Sequence, residues 1–476
     1  MFISLQYLHA LLDDIAMVPI QDALTHLNEH LRQRQYKEAL ETIERMLQSP
    51  DQDTIEPTEL SQVYFSLGEA YRGLSRFKEA IAPYQKAIDI AKCENQLPIQ
   101  ADSYNRLGLV YERLSEYGQA REALANAQNL ALSIVKTEQE SPNETKIRNA
   151  YVENNLGLVE RQLRHYRLAL SHYQNAYKSL EAIGQFENSA NSKGILLNNI
   201  GIVATKLRIG KAEQNLLCFL PEELQSPEGS LEFFNQALTI YQNNSNPTYC
   251  NGKARTLHNR GFCNYLHHMP SPNNDVLNAV IDDFQMALKI RLDPAVLDRV
   301  GIARTLTNLG CFYGKHPEFI NRYKLWRNKV QPLLDSVFEN VEVSPSFSNP
   351  QCELAEGQIV ALKILDCALA LFEDMGDRNG QATVWRSYGH LFQGSQCFEL
   401  SLQAFLKAYQ IYKEIGIEST LIDHQDVLEE IISLLKEMPN PEQNMLADYE
   451  DSLNRIKDQI VAKFDSDIRA DTHMYT

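Results

Sequence analysis

SLGEAYRGLSRFKEAIAPYQKAIDIAK, residues 66–92, is the stretch that decides the fold. It sets Gly68 inside an apolar-periodic run, with Tyr71 three residues on, and follows with a second helical stretch carrying Ala80, Tyr84 and Ala87. The same order returns in RLGLVYERLSEYGQAREALANAQNLAL from Arg106 and NLGLVERQLRHYRLALSHYQNAYKSL from Asn155. Shorter echoes begin at Asn199, Asn259, Asn308 and Trp385. Internal repetition at this period is the signature of a stacked helical array.

The residue types have a physical reason to recur. Gly in a helix interior costs about 1 kcal/mol against Ala, so a Gly repeated at one position must serve close packing. Gly and the first small residue let two helices of one repeat approach, and the large aromatics fill the wedge beside them. One such pair cannot bury its own apolar face, so several must stack.

This pattern resembles the tetratricopeptide repeat, W-x2-L-G-x2-Y followed by A-x3-F. Leu67, Gly68, Tyr71, Ala80, Tyr84 and Ala87 match it. So do Leu107, Gly108, Tyr111, Ala120 and Ala127, although Leu124 replaces the aromatic. Leu156, Gly157, Ala169, Tyr173 and Ala176 follow, with Glu160 departing at the Tyr site. The last clear copy has Trp385, Tyr388, Gly389, Phe392, Phe405 and Ala408. A degenerate first copy, Ile20 to Leu47, keeps Tyr36 and Ala39. The glycines at 68, 108, 157, 201, 261, 310 and 389 are spaced by 40 residues or more, which is similar to the long-helix repeats of kinesin light chains and Pins-type adaptors. The resemblance implies an all-α fold: a right-handed superhelical solenoid of antiparallel helix pairs, about eight repeats over residues 20–415. It also implies a protein-binding adaptor or scaffold.

The longer steps mark insertions near 207–229, 267–278 and 315–357. The third, between repeats seven and eight, contains an amphipathic helix with Tyr323 and Trp326. That helix is expected to fold back and bury Trp326; its other use is as a second candidate surface for a partner. Residues 1–19 read as a short amphipathic helix. Residues 416–464 read as a pair of capping helices, since a solenoid must cover its last apolar face. Residues 465–476 read as a frayed tail.

The chain has 476 residues and a net charge of −17, which disfavours phosphate backbones and anionic lipid as partners, so no nucleic acid is expected. No apolar run is long enough to span a bilayer, and no secretion signal is evident, which points to the cytoplasm. The eight cysteines are scattered without a C-x-x-C pair and read as reduced core thiols. Phosphate loops, nucleophile elbows, zincin helices and dinucleotide fingerprints are all missing, so neither enzyme activity, nor a cofactor, nor a metal is expected.

In the family, the residue two before the repeat Gly faces the concave groove. Here that position reads Ser66, Arg106, Asn155, Asn199, Asn259, Asn308 and Ser387. An amide offers donor and acceptor together, which suits the backbone of an extended peptide. Arg106, Arg113, Arg161, Lys206, Arg255, Arg304, Lys315 and Arg386 fall on the same inner turns, and guanidinium groups pair bidentately with carboxylates. Leu158, Ile202 and Phe262 would give an apolar floor. Two readings stand side by side: a groove for an extended acidic peptide of another protein, or tolerated surface Asn capping local hydrogen bonds beside cations that merely pair with acidic neighbours between repeats. A regulatory sensor that changes shape on binding a signal peptide or small ligand is the alternative function. The sequence leaves the oligomeric state open.

Overall fold

The computed structural model describes residues 20–48, 55–137, 139–183, 189–209, 227–242, 246–269, 271–339, 341–343, 345–347, 353–439 and 443–473. The expected helix over 1–19 and most of the 207–229 insertion lie outside them. Every regular element described is helical. The chain divides into two bodies, one holding residues up to Val110 together with Glu122–Asn149, the other Tyr111–Arg121 together with everything from Ala150.

The first repeat pairs α1 (Ile20–Arg32) with α2 (Tyr36–Gln48), and the second pairs α3 (Pro57–Gly73) with α4 (Phe77–Cys93). Then come α5 (Leu97–Arg113), α6 (Tyr117–Thr137), α7 (Pro142–Gln162) and α8 (Tyr166–Glu181). The array continues with α9 (Ser189–Ile209), α10 (Pro227–Tyr241), α11 (Pro247–His267) and α12 (Asn274–Arg291). The seventh repeat joins α13 (Arg299–Lys315) to α15 (Glu356–Asp374), with α14 (Ile320–Val337) inserted between them. The eighth pairs α16 (Arg378–Gly394) with α17 (Phe398–Ile415), and α18 (Ile417–Glu437) and α19 (Gln443–His473) follow. The third insertion therefore lies inside repeat seven, not between seven and eight: Gly310 of α13 packs on Leu365 of α15, across the inserted residues. The last helix runs to His473, through most of the stretch expected to fray.

Local chemistry sets the helix ends. The links within repeats one, two, three, four and eight are three residues long, and the middle residue is left-handed: Arg34, Ser75, Ser115, Arg164 and Gln396 have φ of 61°, 61°, 64°, 61° and 58°. None is Gly, so each carries the roughly 1 kcal/mol that a Cβ costs in that region. Elsewhere, Asn246, Asn273, Asp298 and Asp377 cap their helices by accepting from backbone N–H groups of the first turn.

The core is the recurring Gly–aromatic contact. A Cβ on Gly68 would fall 2.6 Å from the Tyr84 ring, on Gly157 2.5 Å from Tyr173, and on Gly389 2.4 Å from Phe405. The aromatic thus lies directly over the Gly of its own repeat, closer than the wedge role expected of it. In the second body, α8 residues Tyr166, Leu170 and Tyr173 pack with α9 residues Leu196, Ile200 and Val203. At the C-terminal end, Phe405, Ile411 and Tyr412 of α17 pack with Val427, Ile431 and Leu434 of α18. Cys397 is disulfide-bonded, so the expectation of reduced thiols throughout fails there.

Candidate functional site: the inner faces of the repeats

The four asparagines are engaged within the chain, and the structure shows where their amides point. Asn199 Nδ2 donates to Asn154 Oδ1 at 2.8 Å, and Asn259 Nδ2 donates to Asn198 Oδ1 at 2.9 Å. Asn308 Nδ2 donates to His258 Nε2 at 3.2 Å. Within single helices, Asn154 donates to Asn155 at 3.0 Å and Asn198 to Asn199 at 3.3 Å. Each inner helix is thereby stitched to the one before it, from α7 through α9 and α11 to α13. Asn155 and Asn199 are buried, while Asn259 and Asn308 are half-buried.

His258 replaces Asn in the acceptor role. Burial first, then Arg291 and Arg304, holds its pKa well below the usual value, so the ring is neutral. Thr305 spends its own hydroxyl hydrogen on the Gly301 carbonyl at 2.7 Å. That leaves His258 Nδ1–H to donate to Thr305 Oγ1 at 3.2 Å and Nε2 to accept from Asn308.

The inner cations separate into two sets. Some are committed to acids of the same chain. Arg106 Nε lies 3.4 Å from Glu69, a carboxylate that also accepts from Tyr84 Oη at 2.6 Å and from Arg72. Arg386 grips Glu430 bidentately at 3.1 and 2.6 Å. Arg255 also has an interaction within the chain. Arg161, Arg304 and Lys206, by contrast, form no ion pair with a described residue.

Arg161 is the hub of this second set. Burial, then Arg113 and with it Arg161, pushes Arg304 below its usual value, opposed by Asp377 and Glu112. Burial, then Arg164 and also Arg161, pushes Lys206 down. Yet Arg304 and Lys206 are solvent-exposed. They face water from positions closely surrounded by protein, the setting in which charge acts over distance. Lys206 Nζ stands 5.5 Å over the Phe262 ring, and Leu158, Ile202 and Phe262 are half-buried, which leaves an apolar floor part-open beside the cations.

The second candidate surface changes character. Tyr323, not Trp326, is the buried anchor of α14, with its ring 5.2 Å from Tyr313 of α13; Trp326 stays half-buried. The far end of the insertion is pinned too. Phe347 packs on Phe392 at 4.7 Å, on Tyr388 and on Trp385, and Ser346 N donates to Asp366 at 3.0 Å.

Sequence reasoning missed Arg164, Asp423 and Asp426, which meet across some 260 positions of chain, at 3.2 and 2.9 Å. It also missed Glu160, which departs from the repeat's Tyr to bind Arg121 at 2.7 Å and His165 at 2.7 Å. That departure was the available signal.

No described helix is long and apolar enough to cross a membrane. Residues 24–92 and 101–133 match tetratricopeptide-repeat family models. Protein KINESIN LIGHT CHAIN-RELATED 3 of Arabidopsis thaliana is 27% identical over 189 residues, 32% of this chain and 28% of that protein, so the chain spans under a third of that relative's length. Among solved structures, a Rap protein complexed with Competence and Sporulation Factor superposes with a TM-score of 0.52, over 93% of this chain and 99% of that one, at 11% identity. BtubC (BKLC) from P. vanneervenii is 16% identical, covers 56% of this chain and 91% of its own, and has a TM-score of 0.36. At such identities the Rap likeness is one of fold.

Proposed function

We propose that this chain, a tetratricopeptide-repeat protein, is a protein-interaction adaptor that holds an acidic segment of its partner against the inner cations of its second body. One observation carries the reading: Arg161 acts electrostatically on both Arg304 and Lys206, and none of the three forms an ion pair with a described residue, in a chain whose net charge is −17. Like charges left together raise the energy of the empty protein, and carboxylates from outside would relieve it. The part-open floor of Leu158, Ile202 and Phe262 suits apolar side chains between those carboxylates. The asparagines take a supporting part: their amides hold consecutive inner helices in register, and the half-buried Asn259 and Asn308 keep acceptor capacity toward a bound backbone. The Rap protein of similar fold was solved with a factor bound, which supports a binding role for such an array.

A displayed library of random peptides, panned on the full chain, tests the proposal. Enrichment of sequences rich in Asp and Glu is expected, together with loss of their binding to R161E/R304E. Enriched peptides without acidic bias, or bound equally by the variant, would overturn it.

A further inference from the structure

Arg164 is where the second body closes on itself. It is the left-handed middle residue of the link between α7 and α8, and its Nη2 donates to Asp423 at 3.2 Å and Asp426 at 2.9 Å. Both acids belong to α18. Arg386 of α16 reaches the same helix, gripping Glu430 and lying 3.8 Å from Asp426. Asp423, Asp426 and Glu430 follow one another at spacings of three and four residues, so they share one face of α18. Other faces of α18 enter the core: Leu421, Leu428 and Ile432 pack on Leu453 and Ile456, and Val427, Ile431 and Leu434 pack on α17.

The acidic face is therefore turned toward the inner cations, and it meets them by side chains. α18 packs on α17 and α19, while its contact with the α7–α8 link is carried by these ion pairs. Close by, Asn379 Nδ2 at the start of α16 donates to Tyr117 Oη at 3.0 Å, a second polar tie across the same body. The Arg164, Asp423 and Asp426 side chains keep 29%, 23% and 33% of their exposure. Ion pairs that water can reach exchange readily and weaken with salt, unlike pairs sealed in a core.

We infer that the acidic face of α18 is a resident competitor at the edge of the partner site: Asp423 and Asp426 hold Arg164, three residues on from Arg161, as the carboxylates of a partner's acidic segment would, and the segment binds by displacing them. The inference rests on the adaptor reading and adds its regulation. Lys206 lies within the field of both sets, with Arg161 and Arg164 on one side and Asp423 and Asp426 on the other, so a ligand at Lys206 and the α18 face draw on the same cations. The chain thus carries its own competitor. A partner must be acidic enough to outbid it, which sets a threshold against weakly acidic segments.

The test uses the full chain, fluorescent octaglutamate as probe, anisotropy for affinity and small-angle scattering for dimensions. When a competing closed state is removed, apparent affinity rises by the reciprocal of the open fraction, so D423N/D426N is expected to bind about three- to tenfold more tightly. The same variant should scatter as a more open particle. R164G, which keeps the left-handed link without strain, should open likewise, and R164E/D423R should restore wild-type dimensions through the reversed pair. Circular dichroism melts identify any variant that fails to fold, in which case the single change D423N carries the comparison. Unchanged dimensions and affinity in D423N/D426N would overturn the inference. A variant that opens while neither it nor wild type binds octaglutamate better than R161E/R304E would leave the closure standing and overturn the acidic-partner reading beneath it.

Discussion

Replacing Gly157 with Ala tests the principle on which every repeat is built. A Cβ at this position would stand 2.5 Å from Tyr173 Cε1, 2.7 Å from Cδ1 and 3.0 Å from Cζ. Carbon atoms in contact prefer about 3.5–4.0 Å, so the ring has to retreat by about 1 Å. It has no room to do so, because Tyr173 is fully buried among Leu170, Ala176, Leu196 and Ile200. Overpacking of this kind costs about 1–3 kcal/mol, whereas Ala gains about 1 kcal/mol over Gly in helix propensity. The clash wins, and G157A should be less stable by about 1 kcal/mol, lowering Tm by about 1 °C in a chain of this length. Calorimetry on wild type, G157A, Y173L and G157A/Y173L gives the full cycle. Trimming the ring should remove the penalty and let the propensity gain appear, a coupling of about 1–2 kcal/mol. Tyr173 Oη has no hydrogen-bond partner among the described residues, so Y173F should cost little and serves as a control. If G157A is as stable as wild type, the glycine is not there for the ring.

Other perturbations separate structural side chains from available ones. N199A should destabilise by about 1–2 kcal/mol, since it strands the half-buried Asn154 and the buried Asn198, whereas R161Q/R304Q should melt no lower than wild type and lose acidic-peptide binding. Burial alone would raise the Glu160 pKa, but hydrogen bonds from His165 and Arg121 outweigh it and hold the carboxyl below its usual range. A carboxylate depressed on folding stabilises above its unfolded pKa, near 4.3, and loses that contribution as pH falls through the lower folded value. E160Q should therefore flatten the acid limb of a stability–pH curve measured by urea unfolding. In the inserted helix, Y323A should cost about 3 kcal/mol, while L325S, at a residue 69% exposed, should stay within about 0.5 kcal/mol of wild type in the same assay.

Much of the fold is legible because it is local. Gly68 and Tyr84, or Gly157 and Tyr173, sit sixteen residues apart in a helix–link–helix, and that spacing alone brings them together. The site is harder to read. An Asn two before the repeat Gly can aim its amide inward or sideways from the same backbone position, and only the neighbouring helix decides. Here Asn154, Asn198 and His258 stand as acceptors beside the following helix, so the donors turn sideways. Arginines divide for the same reason. Arg386 has Glu430 in ion-pair contact across the helix boundary, whereas Arg304 has Asp377 and Glu112 in its field but forms no ion pair with a described residue, a difference set by residues far along the chain. The insertion was misplaced because its length masks the second helix of repeat seven, whose Leu365 stands where other repeats carry an aromatic.

The sideways amides have a direction: each inner helix donates backward and accepts from the helix ahead. Such junctions are interchangeable, like couplings of one gauge. Excising α11 and α12 would bring Asn308 opposite Asn198, an acceptor as serviceable as His258. An array joined this way can lose or gain a repeat by unequal recombination without stranding one of these amides, and so can change the length of its inner surface while the couplings stay the same.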